Sequence, residues 1–247
     1  MLEQSIVEPV VLRAVKYIRE YLGRDLSALY LRGSAARDDW IPGLSDVDFY
    51  VVVKDDLQGT RGTINSELDQ VMRLGFPEPQ ISCRVVTESE VRQNQISSYL
   101  TGLDAKLLLG NAVLQGQQTP KLGELRTFGQ RYSEYLSRYW IGIRDQRNTF
   151  EEEVRRLDYL VLKSAQSILM AHGVVALRKN EVTELFLKEF GDLPLAHVVG
   201  KAREVRSSWP EPMEHPQELS LFCREATSFL SGSENYLKAR RSTQIVR

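Results

Sequence analysis

The sequence predicts an α+β protein in which an α/β domain with a small mixed sheet precedes an all-α helical bundle. Three observations support this division. Over about the first half of the chain, short apolar runs of strand character alternate with helical patterns. The segment 115–120 is polar and rich in turn-forming residues. Beyond it no strand pattern occurs, and we therefore predict domains over residues 1–116 and 117–247.

The elements of the N-terminal domain follow from periodicity and from end signals. Apolar residues at helical spacing, closed by Gly23, predict a first helix over residues 5–22. The pattern Thr87-Glu88-Ser89-Glu90 is that of a capping box and predicts a helix that begins at residue 88. The remaining elements are predicted as strands at 26–31, 46–53 and 80–87, a helix at 60–74, and an edge strand at 107–110.

The C-terminal domain shows only helical periodicity. Two long helices are predicted at 125–143 and 154–172, and shorter ones at 181–190, 194–206 and 217–237. Such a series is typical of an antiparallel bundle. The aromatic series Tyr132, Tyr135, Tyr139 and Trp140 is expected to lie mostly in the bundle core.

Composition narrows the classes of function. The chain of 247 residues has a net charge of −1, so nothing indicates a broad basic surface or a nucleic acid partner. Cys83 and Cys223 lie in apolar surroundings and are interpreted as buried thiols outside any disulfide. Neither a secretory signal nor a transmembrane stretch is evident, which leads us to expect a cytoplasmic protein with no membrane partner.

One pair of motifs carries most of the chemical information. Gly33-Ser34 forms a turn after the first predicted strand, and Asp46 and Asp48 lie two residues apart on the second strand, hence on one face. Two carboxylates that close repel each other unless a cation lies between them, and Mg²⁺ suits carboxylate together with phosphate oxygens. The glycine permits close backbone approach, and turn amides with the serine hydroxyl can hold phosphate. The sequence therefore predicts a metal-dependent protein that binds a nucleoside triphosphate.

Gly33-Ser34-Ala35-Ala36-Arg37 followed by Ser45-Asp46-Val47-Asp48-Phe49 resembles the signature of the nucleotidyltransferase superfamily, which includes DNA polymerase β and the minimal and antibiotic nucleotidyltransferases. The resemblance implies a polymerase β-like fold for about the first half of the chain. It implies that Asp46 and Asp48 are catalytic and ligate Mg²⁺, with a pair of ions when nucleotide is bound. It also implies that Gly33 and Ser34 bind the β- and γ-phosphates. The alternative interpretation is purely structural: Asp46 caps a strand, and Gly33-Ser34 forms an ordinary turn.

Arg37 lies one turn beyond Ser34 at the expected start of a helix. Its guanidinium can pair bidentately with phosphate, so we assign it to nucleotide binding. The alternative is an ion pair with Asp38 or Asp39. Trp40 and Pro42, on the loop between the two motifs, either border the nucleotide or pack within the loop.

The chain departs from the superfamily at one position. A third acid usually stands on the next strand, but residues 80–87 contain none, and Ser82 or a neighbour occupies its expected place. Other acids are candidates for the general base, each with a solvated surface charge as its alternative: Glu88, Glu90, Asp104, Glu152 and Asp158. Asp158 is favoured among them because it lies within an otherwise apolar helical stretch.

The predicted function is transfer of a nucleoside monophosphate, AMP being favoured, from a nucleoside triphosphate such as ATP to a hydroxyl of a small-molecule acceptor. The layout of two domains resembles that of the antibiotic nucleotidyltransferases, in which the acceptor lies between the domains, so an antibiotic is one candidate acceptor. Two alternatives stay open. The acceptor is a protein, which would be AMPylated, or the domain is catalytically degenerate and binds nucleotide to regulate.

Overall fold

The computed structural model describes residues 4–57, 61–75, 80–143 and 149–244. The chain divides into two compact units, Met1–Pro120 and Lys121–Arg247. The first unit contains α1 (Gln4–Leu22), β1 (Leu26–Arg32), α2 (Gly33–Arg37), β2 (Val47–Val53), α3 (Arg61–Gly75), β3 (Ile81–Thr87), α4 (Glu88–Gln93), α5 (Gln95–Asp104) and β4 (Lys106–Gly110). The predicted strand at 46–53 thus begins one residue later, at Val47.

The strands form one four-stranded sheet in the order β3-β2-β1-β4. β1 is antiparallel to both β2 and β4, whereas β2 and β3 run parallel, which confirms the small mixed sheet. β2 is central and nearly all buried, because its aromatic and β-branched residues fill both faces of the sheet. β3 and β4 are the edges.

The two sheet faces are covered by different elements because successive strand residues point to opposite sides. On one face, Phe49 and its neighbours pack with Ile18 of α1 and Leu68 of α3. On the other face, Tyr30 and Tyr50 pack with Val91 of α4 and with Leu114, which follows β4. Asp48 precedes Tyr50 by two residues and therefore belongs to this second face.

The hydroxyl of Tyr30 ties the segment that leaves β4 to the sheet. It donates to the carbonyl oxygen of Asn111 at 3.2 Å and accepts from the amide of Leu114 at 3.1 Å. Both Tyr30 and Leu114 are buried. Residues 111–114 are thus part of the first unit's core rather than a loose exit from it.

The end of β3 leads directly into α4 through the predicted capping box. The Glu90 amide donates to Thr87 Oγ1 at 3.2 Å, and the Thr87 amide donates to a Glu90 carboxylate oxygen at 2.9 Å. This reciprocal pair satisfies backbone donors that a helix start otherwise leaves open. It fixes the position of Glu90 relative to β3.

The second unit consists of α6 (Leu122–Ile143), α7 (Phe150–Ala171), α8 (Lys179–Phe190), α9 (His197–Ser207) and α10 (Pro216–Gln244). α7 is the central helix: it packs against each of the other four and is almost entirely buried from Val154 onward. Gly129 of α6 lets the backbones of α6 and α7 approach closely, since a Cβ at this position would lie 2.5 Å from the carbonyl oxygen of Ser167 in α7. The helical bundle predicted from the sequence is confirmed.

The aromatic series on α6 is only partly in the core. Trp140 is buried, but Tyr135 and Tyr139 are 57% and 43% exposed, so their expected place in the bundle core is wrong. They lie on the outer side of α6, where the Tyr132, Tyr135 and Tyr139 rings stack on one another at centroid distances of 6.0 and 6.1 Å. Helical periodicity alone does not tell which aromatic residues of a wide apolar stripe reach the core.

Two smaller expectations are also tested by the fold. Cys83 and Cys223 are buried thiols outside any disulfide, as predicted. Among the helices of the described ranges, none combines the length and apolar character needed to cross a bilayer.

Candidate active site

The pairing of β1 with β2 brings the two sequence motifs together. In this antiparallel pair Arg32 lies opposite Asp48, so the end of β1 adjoins the start of β2. Gly33, which opens α2, and the Asp46–Asp48 segment are therefore neighbours in space although the loop 38–45 separates them in sequence.

Gly33 and Asp48 are in direct contact. The backbone of Gly33 has a φ of +71°, in the left-handed region that glycine tolerates best. A Cβ on Gly33 would lie 2.6 Å from Asp48 Oδ2, well inside van der Waals distance. The absence of a side chain at Gly33 is thus what allows the Asp48 carboxylate to rest against the turn.

Ser34 lies within a closely tied turn. Its carbonyl oxygen accepts from the amides of Asp38 and Asp39, the latter at 3.0 Å, and Asp38 adopts a left-handed φ of 60°. Lys106 of β4 pairs with the Asp38 carboxylate at 3.2 Å. These contacts end α2 after little more than one turn and hold the Gly33-Ser34 backbone at the end of β1.

Arg37 forms ion pairs in this structure. Its guanidinium contacts Asp39 at 3.4 Å and Asp104 of α5, and its side chain is largely buried. The ion-pair alternative considered for Arg37 is therefore present, with Asp104 as an additional partner. A role of Arg37 in holding phosphate stays a prediction.

Asp46 stands at the end of a well-packed loop, immediately before β2. Ser45 is buried, and its hydroxyl accepts from the Ile41 amide at 3.1 Å, which fixes the residue before Asp46. Trp40 packs in the core of the first unit, whereas Pro42 is exposed. Asp46 and Asp48 are each half-buried.

The place of the third acid is occupied by Ser82. β3 pairs with β2 so that Ser82 stands beside Asp48, on the same sheet face. In the part of the chain that the structure describes, no cluster of three or more His, Cys, Asp or Glu residues is suited to a metal. Two carboxylates still fit Mg²⁺, which commonly takes one or two carboxylates and completes its shell with substrate phosphates and water. The carboxylates of Asp46 and Asp48 thus suit a Mg²⁺ ion that binds together with a nucleoside triphosphate.

The candidate general bases of the first unit have structural partners. Glu88 accepts from the Ser27 hydroxyl and lies 3.8 Å from Arg92. Glu90 accepts from the Thr87 amide and pairs with Arg61. Burial raises the pKa of Glu90. The Thr87 amide and the Arg61 guanidinium together lower it by more, so the net pKa lies below the usual value. Asp104 holds the guanidinium of Arg37.

The candidate bases of the second unit are placed in two different environments. Glu152 belongs to the capping box at the start of α7, where it accepts from the Thr149 amide at 2.9 Å. Asp158 is fully buried and pairs with Arg206 of α9 at 2.9 Å. Burial raises the pKa of Asp158, and the charges of Arg206 and Lys179 oppose this effect. Asp158 as a general base is therefore wrong, because an acceptor cannot reach a carboxylate enclosed in the bundle core.

The sequence did not predict a role for Arg84, which lies near this site. Arg84 lies on β3 two residues beyond Ser82, with Tyr50 beside it on β2, and it borders a polar cavity. The available signal was the alternation of β3, which places Ser82 and Arg84 on one face. A basic residue at this position has no counterpart in the motif, so nothing marked it.

Comparison with known proteins decides the family of the N-terminal domain. Residues 13–100, which include both motifs and β3, match the family described as nucleotidyltransferase domain. Residues 13–100 therefore form a nucleotidyltransferase domain. The presence of this domain makes the chain a nucleotidyltransferase enzyme, which moves a nucleoside monophosphate from a nucleoside triphosphate to an acceptor.

Solved structures similar to this nucleotidyltransferase include spectinomycin adenyltransferase AAD(9) from Enterococcus faecialis, crystallised with ATP and spectinomycin. The two share 16% identity with a TM-score of 0.57, over 96% of this chain and 99% of that one. A second is the CdnE cyclic dinucleotide synthase of Elizabethkingia meningoseptica with GTP and Apcpp, at 12% identity and a TM-score of 0.26, over 93% of this chain and 91% of that one. A search of curated protein sequences gives no match. The similarity to AAD(9) concerns the fold.

Proposed function

We propose that this nucleotidyltransferase transfers AMP from ATP to a hydroxyl of a small-molecule acceptor in a Mg²⁺-dependent reaction. The observation that carries the proposal is the contact of the Asp48 carboxylate with the backbone of Gly33. It unites the two halves of the sequence motif in one place, next to Ser34 and Asp46. Similarity in fold to AAD(9), whose structure contains ATP and spectinomycin, favours ATP as the donor and makes spectinomycin an acceptor to test.

In the proposed reaction the acceptor hydroxyl oxygen forms a bond to the α-phosphorus of ATP. The bond between that phosphorus and the α–β bridging oxygen breaks, and pyrophosphate leaves with the electron pair. The hydroxyl proton passes to water, because β3 offers Ser82 rather than a carboxylate beside Asp48. Mg²⁺ held with the triphosphate would neutralise charge on the phosphate oxygens and on the leaving group.

Each residue of the motif has a distinct task in this proposal. Asp46 and Asp48 would bind the metal through carboxylate oxygens. The Gly33-Ser34 turn would hold the terminal phosphates through backbone amides and the Ser34 hydroxyl. Arg37, whose guanidinium is held by Asp39 and Asp104, would donate its remaining N–H groups to phosphate oxygens.

The test measures ATP binding with and without Mg²⁺ in the wild type and in the double variant Asp46→Asn/Asp48→Asn. Asp56→Asn/Asp192→Asn is the matched control, since it removes two charges from exposed positions. We expect Mg²⁺-dependent binding that is lost only in the Asp46/Asp48 variant. Equal Mg²⁺-dependent binding in both double variants would contradict the assigned site.

A second function has one observation in its favour. Ser82 in place of the third acid is compatible with a domain that binds nucleotide for regulation without turnover. Pyrophosphate release separates the two: the enzyme releases it in proportion to a nucleotide adduct detected by mass on spectinomycin or another screened acceptor. Nucleotide binding without pyrophosphate release across a broad acceptor screen would favour the regulatory function, and adducts on protein would favour AMPylation.

A further inference from the structure

A polar cavity of about 300 Å³ lies at the outer edge of β3. Its walls come from β2, β3, α4 and the starts of α3 and α5. The lining residues include Tyr50, Arg61, Asn65, Arg84, Glu90 and Asn94. We call this cavity the Arg84 pocket. Its volume is at the lower end of the range typical of small-molecule sites.

The Arg84 pocket and the candidate active site share one sheet face. Asp48 stands beside Ser82, and Tyr50 stands beside Arg84 in the same parallel ladder. Two residues along a strand span about 7 Å. The backbone of Arg84 therefore lies one pleat repeat from that of Ser82, where the superfamily usually places its third acid.

The charge balance of the pocket favours an anion. Arg61 is already paired with Glu90, so these two side chains neutralise each other. Arg84 is exposed, and no carboxylate among the described residues forms an ion pair with it. The guanidinium of Arg84 therefore gives the cavity a net positive charge. Its planar geometry matches the oxygens of phosphate and carboxylate groups.

Neutral groups around Arg84 complete the chemistry. Asn65 accepts the Val85 amide at 3.0 Å through Oδ1, which leaves its amide nitrogen as a hydrogen-bond donor. Burial raises the pKa of Tyr50, while the nearby charges of Arg84 and Arg32 oppose this effect, so Tyr50 is a neutral hydroxyl at neutral pH. A cavity with one unbalanced cation and neutral donors is suited to an oxyanion.

We infer that the Arg84 pocket binds an acidic group of the acceptor, a phosphate or a carboxylate, while the acceptor hydroxyl lies at Asp48. This inference rests on the proposed function, which it deepens by naming the class of acceptor. The acceptor is then a phosphorylated alcohol or a hydroxy acid, so these classes come before spectinomycin in an acceptor screen, because a cationic amine would meet Arg84 with like charge. The two groups of the acceptor are separated by roughly the 7 Å repeat of the strand.

The test uses glycerol 3-phosphate, glycerate and uncharged glycerol as probes of the full chain, by calorimetry in the absence of nucleotide and metal. We expect both acids to bind and glycerol not to bind. Arg84→Gln should weaken binding of the acids at least tenfold, whereas Arg19→Gln, the same change at an exposed position of α1, should not. The tighter of the two acids identifies phosphate or carboxylate as the preferred group.

Glu90→Gln provides a change in the opposite direction. Glutamine preserves the capping box but releases Arg61 from its ion pair, so binding of the acids should become several-fold tighter. Equal binding of acids by wild type and Arg84→Gln would overturn the inference. Binding of glycerol as tightly as the acids would overturn it as well.

Binding of ATP with Mg²⁺ by Arg84→Gln separates failure of this inference from failure of the proposed function. This variant should bind ATP with Mg²⁺ as the wild type does while binding the acids at least tenfold less tightly. Equal losses of ATP and acid binding in Arg84→Gln would place a phosphate of the nucleotide in the Arg84 pocket and overturn the inference. Retained ATP binding in the double variant Asp46→Asn/Asp48→Asn, with acid binding lost in Arg84→Gln, would leave the pocket in place and overturn the assigned nucleotide site.

Discussion

Asp48 in the first unit and Asp158 in the second have similar sequence surroundings and opposite environments. Both are acids within apolar stretches. Asp48 is half-buried against the bare backbone of Gly33, whereas Asp158 is fully buried with Arg206 at 2.9 Å. The first environment sets a carboxylate against a turn that suits a ligand, and the second supplies a cation from the protein itself.

In both units, the residue that lies next to the acid in space, rather than in sequence, determines the role of an acid in an apolar stretch. A buried carboxylate needs a compensating charge or it costs several kcal/mol. Asp158 obtains that charge from α9, 48 residues away in sequence. Asp48 has the Gly33 turn beside it, where we propose that a metal and phosphate bind. Four sets of variants test this contrast, in order of decreasing effect.

Removing the cation beside Asp158 should have the largest effect. Arg206→Ala leaves a buried carboxylate without its partner, and we expect a loss of about 3–5 kcal/mol in the free energy of unfolding. Urea denaturation followed by circular dichroism measures it. Arg203→Ala, on the same helix but in an exposed pair with Glu184, should cost less than about 1 kcal/mol. An equal decrease in the free energy of unfolding in the two variants would show that the buried Asp158–Arg206 pair stabilises the fold no more than an exposed pair does.

The corresponding change at Asp48 should affect turnover rather than stability. Asp48→Asn removes a proposed metal ligand, and we expect nucleotidyl transfer to fall about 10³-fold, or about 4 kcal/mol in transition-state free energy. Its free energy of unfolding should stay within about 0.5 kcal/mol of the wild type, since the side chain is only half-buried and asparagine preserves its shape. Initial rates of pyrophosphate release, paired with urea denaturation, measure both quantities. A large loss of stability with normal turnover would reverse the contrast with Asp158.

Gly33→Ala tests the contact that brings Asp48 to the turn. The new Cβ would meet Asp48 Oδ2 at 2.6 Å and would stand on a backbone with a φ of +71°, so we expect a cost of about 1–3 kcal/mol and a parallel drop in turnover. Gly232→Ala is the control, because nothing lies within 4 Å of its Cβ position. In the interior of α10 it should stabilise the protein by about 0.5–1 kcal/mol. Thermal and urea unfolding of both variants measure these shifts, and a neutral Gly33→Ala would contradict the contact.

The smallest effect concerns acid pH. The net pKa of Glu90 is lowered in the folded state, so its contribution to stability is present above the pKa of the unfolded chain, about 4.3, and is lost as the pH falls through the folded value. Glu90→Gln should therefore slightly lower the free energy of unfolding at pH 7, and its difference from the wild type should shrink as the pH falls below about 4.3. Unfolding measured from pH 7 to pH 3 tests this, and an identical acid profile for wild type and variant would contradict it.

Much of the fold could be predicted from local patterns. The capping box at Thr87 and the strand predicted at 46–53 depend on residues close in sequence; the capping box is confirmed, and the strand begins one residue later, at Val47. The partners of Arg37 and Asp158 could not be predicted, because Asp104 and Arg206 come from distant segments. The exposed side of Tyr135 was missed for a similar reason: its environment depends on which helices pack against α6.

The candidate site divides in the same manner. The Gly33-Ser34 turn and the Asp46–Asp48 pair form a linear pattern, so they could be selected from the sequence alone. Ser82 could be identified as a missing acid only by reference to that pattern. Arg84 could not be selected, since its significance comes from a cavity that several separate elements enclose.

The Tyr30 hydroxyl, held between Asn111 and Leu114, determines where the molecule can be cut. A fragment that stopped at Gly110 would contain every strand, yet the phenol would lose both backbone partners and the apolar side chain of Leu114 beside it. A fragment that runs to Pro120 keeps them. Limited proteolysis should therefore release a stable N-terminal fragment only by cleavage beyond residue 114.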